Sequence, residues 1–589
     1  MNDRSQHPHA GDRQAGQPQA GHPQAGHPWF AHYPEGIPHA LDFEELTVVD
    51  FLKRTAERLP HRPALCFMNV TLSWRELKDQ VDRCATAMAE LGVYDHSTVA
   101  IQLPNLPQTV IAYYAALSLG ARVVLTNPLY TEREIEHQWN DAGVSVAVVT
   151  DFLYDQKVRK IRKDLRLSHV MVASIPEYLR FPLNLLAPLK LKRQDPPLVA
   201  KVRFGEDVHP FKKLLAGTQP DPPRVALDLN AVAVLQYTGG TTGPSKGAML
   251  THRNLSCNVQ QIASFYVGME YGSEVVLTCL PLFHVFGMSV CMNYAVFDGA
   301  TMVLVPNPRD VDAIVKAIAK HEATIFPGVP ALYNALNHFP GIESANVKSL
   351  KVCLSGSAPI PPDVLERFES LTGARIIEGF GMSETSPVTH VNPLVGVRKI
   401  GSIGIPLPST ESRVVDMDEG TREMPLGEEG ELVVRGPQVM AGYYERPEET
   451  ANALRNGWMH TGDLATQDED GYFRIVGRKK DMINANGLKV FPDEVDKVLM
   501  AHDAILEAAT IGVPHPTRGE TVKSFLVLVE GAALTSDEVE SYAREHLAAY
   551  KIPREIEFLD ELPKSTVLKV LRRELRDREL AKRSADPGA

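Results

Sequence analysis

Cysteine is scarce in this sequence, and the few cysteines follow no metal-binding spacing. Six are spread over 589 residues, and no two of them form a CxxC pair. This distribution gives no zinc site and favours buried free thiols in a reducing cytosol. An apolar segment that could serve as a signal peptide is also missing after the first methionine, so we expect a cytoplasmic protein.

The sequence also lacks an excess of basic residues over acidic ones. The chain contains 61 lysines and arginines against 73 aspartates and glutamates, which gives a formal net charge of −12 at pH 7. General nucleic-acid-binding proteins usually carry the opposite balance, so we expect no nucleic-acid partner. The hydrophobic fraction of 44% is ordinary for a globular protein, and the length predicts roughly three or four structural units.

One segment without acidic residues, lysine or arginine, Val275–Phe297, is long enough to span a membrane. A span would have to bury Pro281, His284, Ser289 and Asn293 in lipid. We therefore predict that this segment belongs to the core of a soluble protein.

One glycine-rich stretch resembles a Walker A motif but does not match it. Residues 237–252 have the sequence YTGGTTGPSKGAMLTH, in which Ser245 precedes Lys246 and Gly247 follows it. A Walker A loop needs glycine before the lysine and Ser or Thr after it, so a P-loop NTPase is excluded. The glycines can still turn backbone N–H groups toward an anion, and the threonine hydroxyls and the lysine add donors and charge. We favour a phosphate-binding loop over the alternative, an ordinary turn between a strand and a helix.

Residues 1–40 are predicted to form a disordered low-complexity tail. The segments QAGQP, QAGHP and QAGHP repeat in register up to Pro28. A composition of this kind buries too little apolar surface to fold.

Beyond the tail the pattern alternates between helices and strands. The sequence SWRE (73–76) is a capping box that starts a helix ended by Gly92, and VAIQL from Val99 is typical of a buried strand. Strand-like segments return at residues 231–238, 300–306, 323–329 and 351–359. The alternation predicts α/β layers with largely parallel strands, whose carboxyl ends form the usual ligand edge.

The pattern of predicted strands and turns changes in the last third of the chain. After Ser402, shorter strands, turns and glycines predict a β-rich region. From Asp481 a further unit begins with strands and helices of its own, and the charged segment GRKKD (477–481) is the predicted boundary.

The segment YLRFPLNLLAPLKLKRQDPP (178–197) is basic, rich in leucine and free of acidic residues until Asp195. It could lie on an anionic membrane surface, where each basic residue contributes roughly 1 kcal/mol. It could equally connect two subdomains.

Several motifs in a fixed order resemble one protein family, the adenylate-forming superfamily of acyl-CoA synthetases, luciferases and peptide-synthetase adenylation domains. The chain is most similar to the bacterial long-chain fatty acyl-CoA ligases, from about Leu41 to Leu575. The motifs, besides residues 237–252, are NPLYTEREIEHQWNDAG, LPLFHVFG, GFGMSET, GSIGIPLPSTE, GPQVMAGYY, NGWMHTGD, GRKKDMI and LPKSTVLKVLRRELR.

The resemblance implies an α/β fold in two domains. A large N-terminal domain of layered α/β subdomains with a β-rich subdomain is expected at 41–478, a hinge at 479–481, a small mobile α+β lid at 482–575 and a polar tail at 576–589. The implied reaction is ATP-dependent ligation of a fatty acid, expected to be long-chain, to coenzyme A. It passes through an acyl adenylate and releases AMP and pyrophosphate. An aryl-CoA ligase, an acyl-carrier-protein ligase and a non-catalytic acyl- or nucleotide-binding relative are the alternatives.

The resemblance also assigns the nucleotide site. Glu384 and Thr238 would hold Mg²⁺, Asp463 would accept the ribose hydroxyls, and Phe380 would stack on adenine where the family usually has tyrosine. The ATP-binding residues are expected to be Thr238, Gly239, Gly240, Thr241, Thr242, Gly243, Lys246, Gly356, Ser357, Ala358, Glu378, Gly379, Phe380, Gly381, Met382, Ser383, Asp463 and Arg478.

The implied catalytic residues are Lys569, His284 and Glu384. Lys569 would stabilise the charge that builds up during adenylation, and His284 would position the carboxylate rather than move a proton. Lys480 matches the hinge, and Gly487 matches the glycine past which the pantetheine of CoA slides.

The chain departs from the family pattern at Leu568, where glycine usually precedes the catalytic lysine. If the backbone there needs a positive φ, leucine costs on the order of 1–2 kcal/mol. The resemblance further implies a homodimer as one possible assembly. The basic segment at 178–197 raises peripheral contact with the inner face of the membrane as one of its two interpretations.

Overall fold

The computed structural model describes residues 26–238, 245–485, 488–515, 519–565 and 569–585. The helices within these ranges are α1 Val48–Arg58, α2 Trp74–Glu90, α3 Pro107–Ser118, α4 Glu132–Asp141, α5 Asp151–Leu153, α6 Arg159–Ile161, α7 Leu183–Lys192, α8 Phe211–Gly217, α9 His252–Phe265, α10 Tyr294–Asp298, α11 Val311–His321, α12 Pro330–Asn337, α13 Pro362–Thr372, α14 Pro447–Ala453, α15 Pro492–Met500, α16 Ser536–His546 and α17 Arg572–Ala585.

The strands fall into four sheets. Strands of the N-terminal part are β1 Pro63–Phe67, β2 Val70–Ser73, β3 Thr98–Gln102, β4 Arg122–Leu125, β5 Val146–Thr150, β6 His169–Ala173, β7 Val208–Pro210, β8 Val232–Thr238, β9 Lys246–Thr251, β10 Val275–Thr278, β11 Thr301–Leu304, β12 Ile325–Gly328, β13 Val352–Ser355, β14 Arg375–Gly381, β15 Val388–Val391 and β16 Ile405–Pro406. The later strands are β17 Glu411–Val415, β18 Gly430–Arg435, β19 Leu454–Arg455, β20 Trp458–Gln467, β21 Phe473–Arg478, β22 Ile483–Ala485, β23 Leu488–Val490, β24 Ile505–His515, β25 Gly519–Leu528 and β26 Glu555–Phe558.

Two large, mostly parallel sheets form the N-terminal domain. One has the order β16-β15-β14-β13-β12-β10-β11-β1-β2 and the other β7-β6-β5-β3-β4-β8-β9. In the second sheet, the strands from β7 to β8 are parallel, while β9 pairs antiparallel with β8. The α/β fold with largely parallel strands is confirmed.

The sheets are buried because their strands are apolar on both faces. In β3, Val99 and Ile101 point into a core cluster shared with the other large sheet, while Ala100 points into a second cluster with Ile135 and Trp139 of α4. Successive side chains of a strand alternate between its faces, so a continuous apolar run gives a sheet covered on both sides.

Local signals place the helices as the sequence predicts. The side chain of Ser73 accepts a hydrogen bond from the backbone of Glu76, and the Glu76 side chain accepts one from the backbone of Ser73. This capping box starts α2, and Gly92, with φ of +83°, follows its end.

The β-rich region and the C-terminal unit have separate sheets. The first has the order β17-β18-β20-β19 with β21 on β20, and the second has the order β23-β22-β25-β24 with β26 on β25. In the C-terminal unit, α15 and α16 cover one face of β24 and β25, while Leu575 of α17 lies in the cluster on the opposite face.

The prediction that residues 1–40 are disordered is wrong for residues 27–40. Trp29 is 2% exposed, and its ring packs 6.0 Å from that of Phe473. The hydroxyl of Tyr33 donates to the carbonyl oxygen of Pro406, and His39 stacks on Phe30. The composition predicted disorder wrongly here, because a few large aromatic side chains bury enough surface to order a polar segment.

The polar tail predicted at 576–589 is helical over residues 576–585, which continue α17. Glu579 is buried and accepts a hydrogen bond from Lys523 at 2.7 Å, and Arg583 bonds to both Glu579 and Glu555. These residues tie the helix to the sheet, while Asp577, Arg578 and Lys582 face water.

The segment Val275–Phe297 lies in the core, as predicted. It contains β10, a fully buried π-helix at Gly287–Asn293 and most of α10. No helix among the described residues is both long and apolar enough to cross a membrane. All six cysteines are buried free thiols.

Candidate active site

The glycine-rich loop leaves the carboxyl end of β8, a strand of the second large sheet. Thr238 ends β8 and pairs with Lys246, the first residue of β9. The turn therefore joins two antiparallel strands and not a strand and a helix. The predicted phosphate contacts Gly239, Gly240, Thr241, Thr242 and Gly243 lie outside the described residues.

Lys246 lies at the base of this loop with its charge only lightly compensated. Its Nζ is 3.6 Å from a carboxylate oxygen of Glu449 and 5.5 Å from the ring centroid of Tyr443. The side chain is about one third exposed, at 32%. An ammonium group in this state can turn to an incoming phosphate at little cost.

The segment at 440–446 packs alongside β9, to which Tyr443 forms a single antiparallel bridge at Ala248. The amide of Met249 donates to the carbonyl of Gly442 at 2.8 Å, and the amide of Tyr444 donates to the carbonyl of Gly247 at 2.8 Å. Apart from its place in a family motif, no sequence signal predicted a role for this segment.

A carboxylate that is 13% exposed ties the loop hairpin to two other elements. Asp141, at the end of α4, accepts a hydrogen bond from the hydroxyl of Tyr237 at 2.7 Å and another from Arg446 at 2.6 Å. The three side chains fix β8, α4 and the start of α14 relative to one another.

The residues predicted to surround adenine lie where β13 and β14 end. Gly356 follows β13, and a Cβ at this position would come within 3.0 Å of the Phe286 ring. Ser357 has φ of +73°, a left-handed conformation that turns the chain sharply before Ala358. The close approach and the turn explain why small residues occupy this loop.

The segment from Glu378 to Met382 forms the end of β14 and the turn after it. The carboxylate of Glu378 accepts hydrogen bonds from the amides of Gly401 and Ile360, so this side chain joins three loops together. Burial raises the pKa of Glu378 above its usual value. A Cβ on Gly381 would lie 2.1 Å from the carbonyl oxygen of Pro387, and any side chain would push the turn open.

Gly379 and Phe380 lie between these two residues. A Cβ on Gly379 would come within 3.0 Å of Leu354 in the neighbouring strand. The Phe380 ring is half-buried and meets His390 edge to face at 6.1 Å. His390 is buried, and burial lowers its pKa to about 3, so it supports Phe380 as a neutral ring.

Glu384 lies in a single helical turn, Ser383–Thr385, that contacts β8 and β9. It is 7% exposed, and burial raises the pKa of its carboxyl group. The hydroxyl of Tyr443 donates to Oε1 of Glu384 at 2.8 Å. The turn therefore packs Glu384 against the strand that ends at Thr238, the other residue predicted to hold a metal.

Asp463 and Arg478 face each other across β20 and β21. Nε of Arg478 is 2.9 Å from Oδ1 of Asp463, which is 4% exposed. Burial raises the pKa of Asp463, while Arg478 and Lys569 act against that rise. A cavity of about 310 Å³ is lined by Thr461, Gly462, Asp463, Arg478, Lys479 and Lys480.

Lys569, a residue of the C-terminal unit, lies within electrostatic reach of Asp463 in the wall of this cavity. The backbone amide of Ser565 donates to the carbonyl of Lys569 at 2.8 Å, and the Ser565 hydroxyl accepts from the amide of Lys569. Burial, with help from the neighbouring Arg478, lowers the pKa of Lys569 to about 8, although Asp463 and Asp493 oppose the shift. Leu568 lies outside the described residues, so the departure at that position stays an expectation.

His284 lies within electrostatic reach of Lys569. Burial, with help from the charge of Lys569, lowers the pKa of His284 to about 4. Its Nδ1 accepts a hydrogen bond from the amide of Phe286, which leaves the ring proton on Nε2. His284 is thus a neutral donor at pH 7, as positioning of a carboxylate requires.

The remaining predicted residues are the hinge and the CoA contact. Lys480 follows the end of β21, and burial and Arg478 lower its pKa. Gly487 lies outside the described residues.

The donor set around Glu384 fits a hard cation that arrives with a nucleotide. Mg²⁺ prefers oxygen ligands and is usually held by one or two carboxylates together with substrate phosphates. The described residues contain no group of three or more His, Cys, Asp or Glu side chains that could hold a metal by themselves. One buried carboxylate and the Thr238 hydroxyl match a site that the triphosphate completes.

Comparison with known proteins gives a consistent result over most of the chain. The family model described as "AMP-binding enzyme" matches residues 52–444, and that of the "AMP-binding enzyme C-terminal domain" matches residues 494–569. A long-chain-fatty-acid–CoA ligase of Bacillus subtilis is 41% identical, over 94% of this chain and 98% of its own. One of Salmonella typhimurium is 39% identical, over 93% and 98%.

The crystal structure of the anthranilate CoA ligase AuaEII with anthranoyl-AMP superimposes with a TM-score of 0.81 at 26% identity. The match covers 91% of this chain and 98% of that one. The match to the family model covers more than half of the chain, and the two ligases match nearly all of it. The chain belongs to the AMP-binding enzyme family.

Proposed function

We propose that this protein is an ATP-dependent long-chain fatty acid–CoA ligase that works through an acyl adenylate. The observation that carries the proposal is the position of Lys569. The charge of Lys569, a residue of the C-terminal unit, acts on Asp463 beside Arg478 and also on His284. A binding module has no need of a lysine within electrostatic reach of both a nucleotide site and a neutral histidine.

The first half-reaction joins the acid to AMP. A carboxylate oxygen attacks the α-phosphorus of ATP, and the bond from that phosphorus to the pyrophosphate oxygen breaks. Negative charge gathers between the incoming carboxylate and the phosphate oxygens, where the ammonium group of Lys569 stabilises it. His284 donates from Nε2 to the carboxylate and orients it.

The other site residues bind the nucleotide in this proposal. Asp463 accepts the ribose hydroxyls, and Phe380 lies against adenine. Lys246 and the loop from Thr238 hold the β- and γ-phosphates. Glu384 and Thr238 would hold Mg²⁺, which would neutralise part of the phosphate charge when it is bound.

The second half-reaction transfers the acyl group to CoA. The thiol sulfur attacks the acyl carbonyl carbon, a thioester forms, and AMP leaves. In this proposal the C-terminal unit turns about Lys480 between the two steps, and the pantetheine passes Gly487.

Pyrophosphate release is the test. The purified protein is incubated with ATP, Mg²⁺ and fatty acids from butyrate to stearate, with and without CoA, and with benzoate as an aromatic acid. Release that requires a fatty acid and increases toward palmitate and stearate supports the proposal. A maximum with benzoate would make the protein an aryl-CoA ligase. Absence of release, despite ATP binding, would leave a non-catalytic binding relative.

A membrane surface is the proposed source of the acid, and α7 is the proposed contact. Ala187 and Leu191 pack this helix against the core. On the opposite side Leu185, Leu186 and Leu189 are 63%, 55% and 61% exposed. None of the helix residues is fully buried.

The charge around α7 favours anionic lipid. Arg180, Lys190, Lys192 and Arg193 flank the exposed leucines, and Phe181 is 76% exposed beside them. Exposed apolar side chains ringed by basic residues fit the boundary between lipid headgroups and acyl chains. A mere connector between subdomains would have no need to expose this surface.

Vesicle sedimentation tests the contact. The wild type should sediment with phosphatidylglycerol vesicles and much less with phosphatidylcholine vesicles. Replacement of Leu185, Leu186 and Leu189 by serine should abolish sedimentation, while the matched change Leu129→Ser, at a leucine that is also exposed, should not. Equal sedimentation of all variants would exclude α7 as the contact.

Two expectations about the whole molecule remain proposals. Six buried thiols fit a reducing compartment, and we propose the cytoplasm, at the inner face of the membrane. A homodimer is proposed on the family resemblance alone. Sedimentation velocity separates it from a monomer of 64.9 kDa.

A further inference from the structure

Tyr443 contacts both charged groups that flank the phosphate loop. Its hydroxyl donates to Oε1 of Glu384 at 2.8 Å. Its ring centroid is 5.5 Å from Nζ of Lys246, within the range of a cation–π contact. One side chain therefore links the carboxylate proposed to hold Mg²⁺ with the lysine proposed to hold phosphate.

The backbone holds Tyr443 firmly in this position. Tyr443 forms a bridge with Ala248 of β9, and its amide donates to the hydroxyl of Thr450 at 2.9 Å. The amide of Met440 donates to the carbonyl of Glu384 at 2.8 Å, so the backbone of the same segment also fixes the glutamate. The pairing to β9 fixes the backbone from which the Tyr443 side chain projects, and the hydrogen bond to Glu384 fixes its hydroxyl end.

A second set of contacts supports the segment from the other side. Arg446 donates to Asp141, and Asp141 accepts from Tyr237 of β8. Both strands of the loop hairpin are thus tied to the segment that carries Tyr443. The arrangement resists displacement when a highly charged ligand enters.

The chemistry of tyrosine suits this place. A buried carboxylate requires a hydrogen-bond donor, and a phenol supplies one without neutralising the negative charge that a metal ion needs. An arginine or lysine there would form an ion pair with Glu384 and compete with the cation. The aromatic face likewise attracts the Lys246 ammonium without adding an anion that would compete with phosphate.

We propose that Tyr443 is a positioning residue that sets Glu384 for the metal ion and Lys246 for the triphosphate before ATP arrives. The proposal rests on the proposed nucleotide site, but not on the identity of the acid. Its prediction is specific: loss of the hydroxyl weakens the metal-dependent part of ATP binding, and loss of the ring weakens the metal-independent part as well.

Calorimetric titration of ATP into the full-length protein measures the two parts separately. Binding is measured over a series of Mg²⁺ concentrations and again in EDTA, for the wild type, Tyr443→Phe, Tyr443→Leu and Tyr444→Phe. Tyr444 is the matched control, because it lies in the same segment and its ring faces Arg122 at 5.2 Å. Thermal melting of each variant without ligand reports on folding.

For Tyr443→Phe, the Mg²⁺ concentration that gives half-maximal enhancement of ATP binding should rise about tenfold, with ATP affinity in EDTA unchanged. For Tyr443→Leu, ATP affinity in EDTA should fall by roughly threefold as well. Tyr444→Phe should match the wild type. In a Glu384→Gln background, Tyr443→Phe should cause no further change, because the hydroxyl acts through that carboxylate.

Three results would overturn the proposal. The first is a Tyr443→Phe protein with the Mg²⁺ dependence of the wild type. The second is an equal loss of ATP affinity with Mg²⁺ and in EDTA, which would indicate a merely structural role. The third is an undiminished effect in the Glu384→Gln background. A wild type that binds no ATP at all would instead contradict the proposed function.

Discussion

Asp463 and Arg478 occupy paired positions on β20 and β21, with the guanidinium Nε 2.9 Å from the carboxylate. The strand pairing sets this distance, so the carboxylate is fixed at the cavity wall before any ligand is present. Burial raises the pKa of Asp463, and the guanidinium of Arg478 favours the charged carboxylate against that shift.

Asp463→Asn should lower ATP affinity by about one to two orders of magnitude, because a charged acceptor of both ribose hydroxyls becomes a neutral amide. Calorimetric titration with ATP measures the change. Asp468→Asn is the matched control, since Asp468 pairs with Lys399 on the surface at 2.6 Å. Unchanged ATP affinity in Asp463→Asn would remove this residue from the nucleotide site.

Lys569→Gln should slow adenylation by roughly 100- to 1,000-fold, since a preorganised cation is lost from the point where charge develops. Transfer to CoA from a chemically prepared acyl adenylate should change little. Quenched-flow measurement of pyrophosphate in the first turnover follows the first step. Lys582→Gln, on the exposed part of α17, should leave both steps intact. An equal loss in both steps would contradict the division of roles.

The pH dependence of adenylation should report the pKa of Lys569. Burial sets this pKa at about 8 against 10.5 for a free lysine, so the rate should fall as the pH rises through about 8 and the charge is lost. Between pH 8 and 10.5 the unfolded chain binds a proton that the folded chain does not. The contribution of Lys569 to the free energy of unfolding therefore rises over this range. Lys569→Met should lack both dependences, which kinetics and denaturant melts can establish.

Trp29→Ala should destabilise the protein by about 3–5 kcal/mol, because an indole buried against Phe473 leaves a cavity. Chemical denaturation with urea measures the loss. Tyr94→Ala removes an aromatic side chain that is 71% exposed and serves as the control. Equal midpoints for Trp29→Ala and the wild type would show that residues 27–40 do not contribute to the fold.

The sequence by itself determined the local structure. The capping box at Ser73 predicted the start of α2, and Gly92 predicted its end. Apolar runs that alternate with helical segments predicted parallel strands. Each of these signals acts within a few residues of the chain. It also placed Glu384, Asp463 and Lys569 in family motifs, each recognisable without its partners.

The contacts that assemble the site were decided by the tertiary structure. Arg446 meets Asp141 across 305 residues of chain, and Tyr443 meets Glu384 across 59. No periodicity relates such positions, since their distance depends on how separate sheets and loops pack. Asp141, Tyr443 and Arg446 were missed for this reason.

Predictions from composition were wrong where the burial of a segment depends on a surface that distant parts of the chain form. Residues 27–40 follow a repetitive polar segment and were predicted to share its disorder, yet Trp29 packs against Phe473. Glu579, in the charged end of α17, likewise accepts a hydrogen bond from Lys523. Order in both segments comes from the surface they cover, which exists only once the rest of the chain has folded. The sequence determined which groups this protein has for its chemistry, and the tertiary structure decided which of them meet, because hydrogen bonds and ion pairs act only at short range in space.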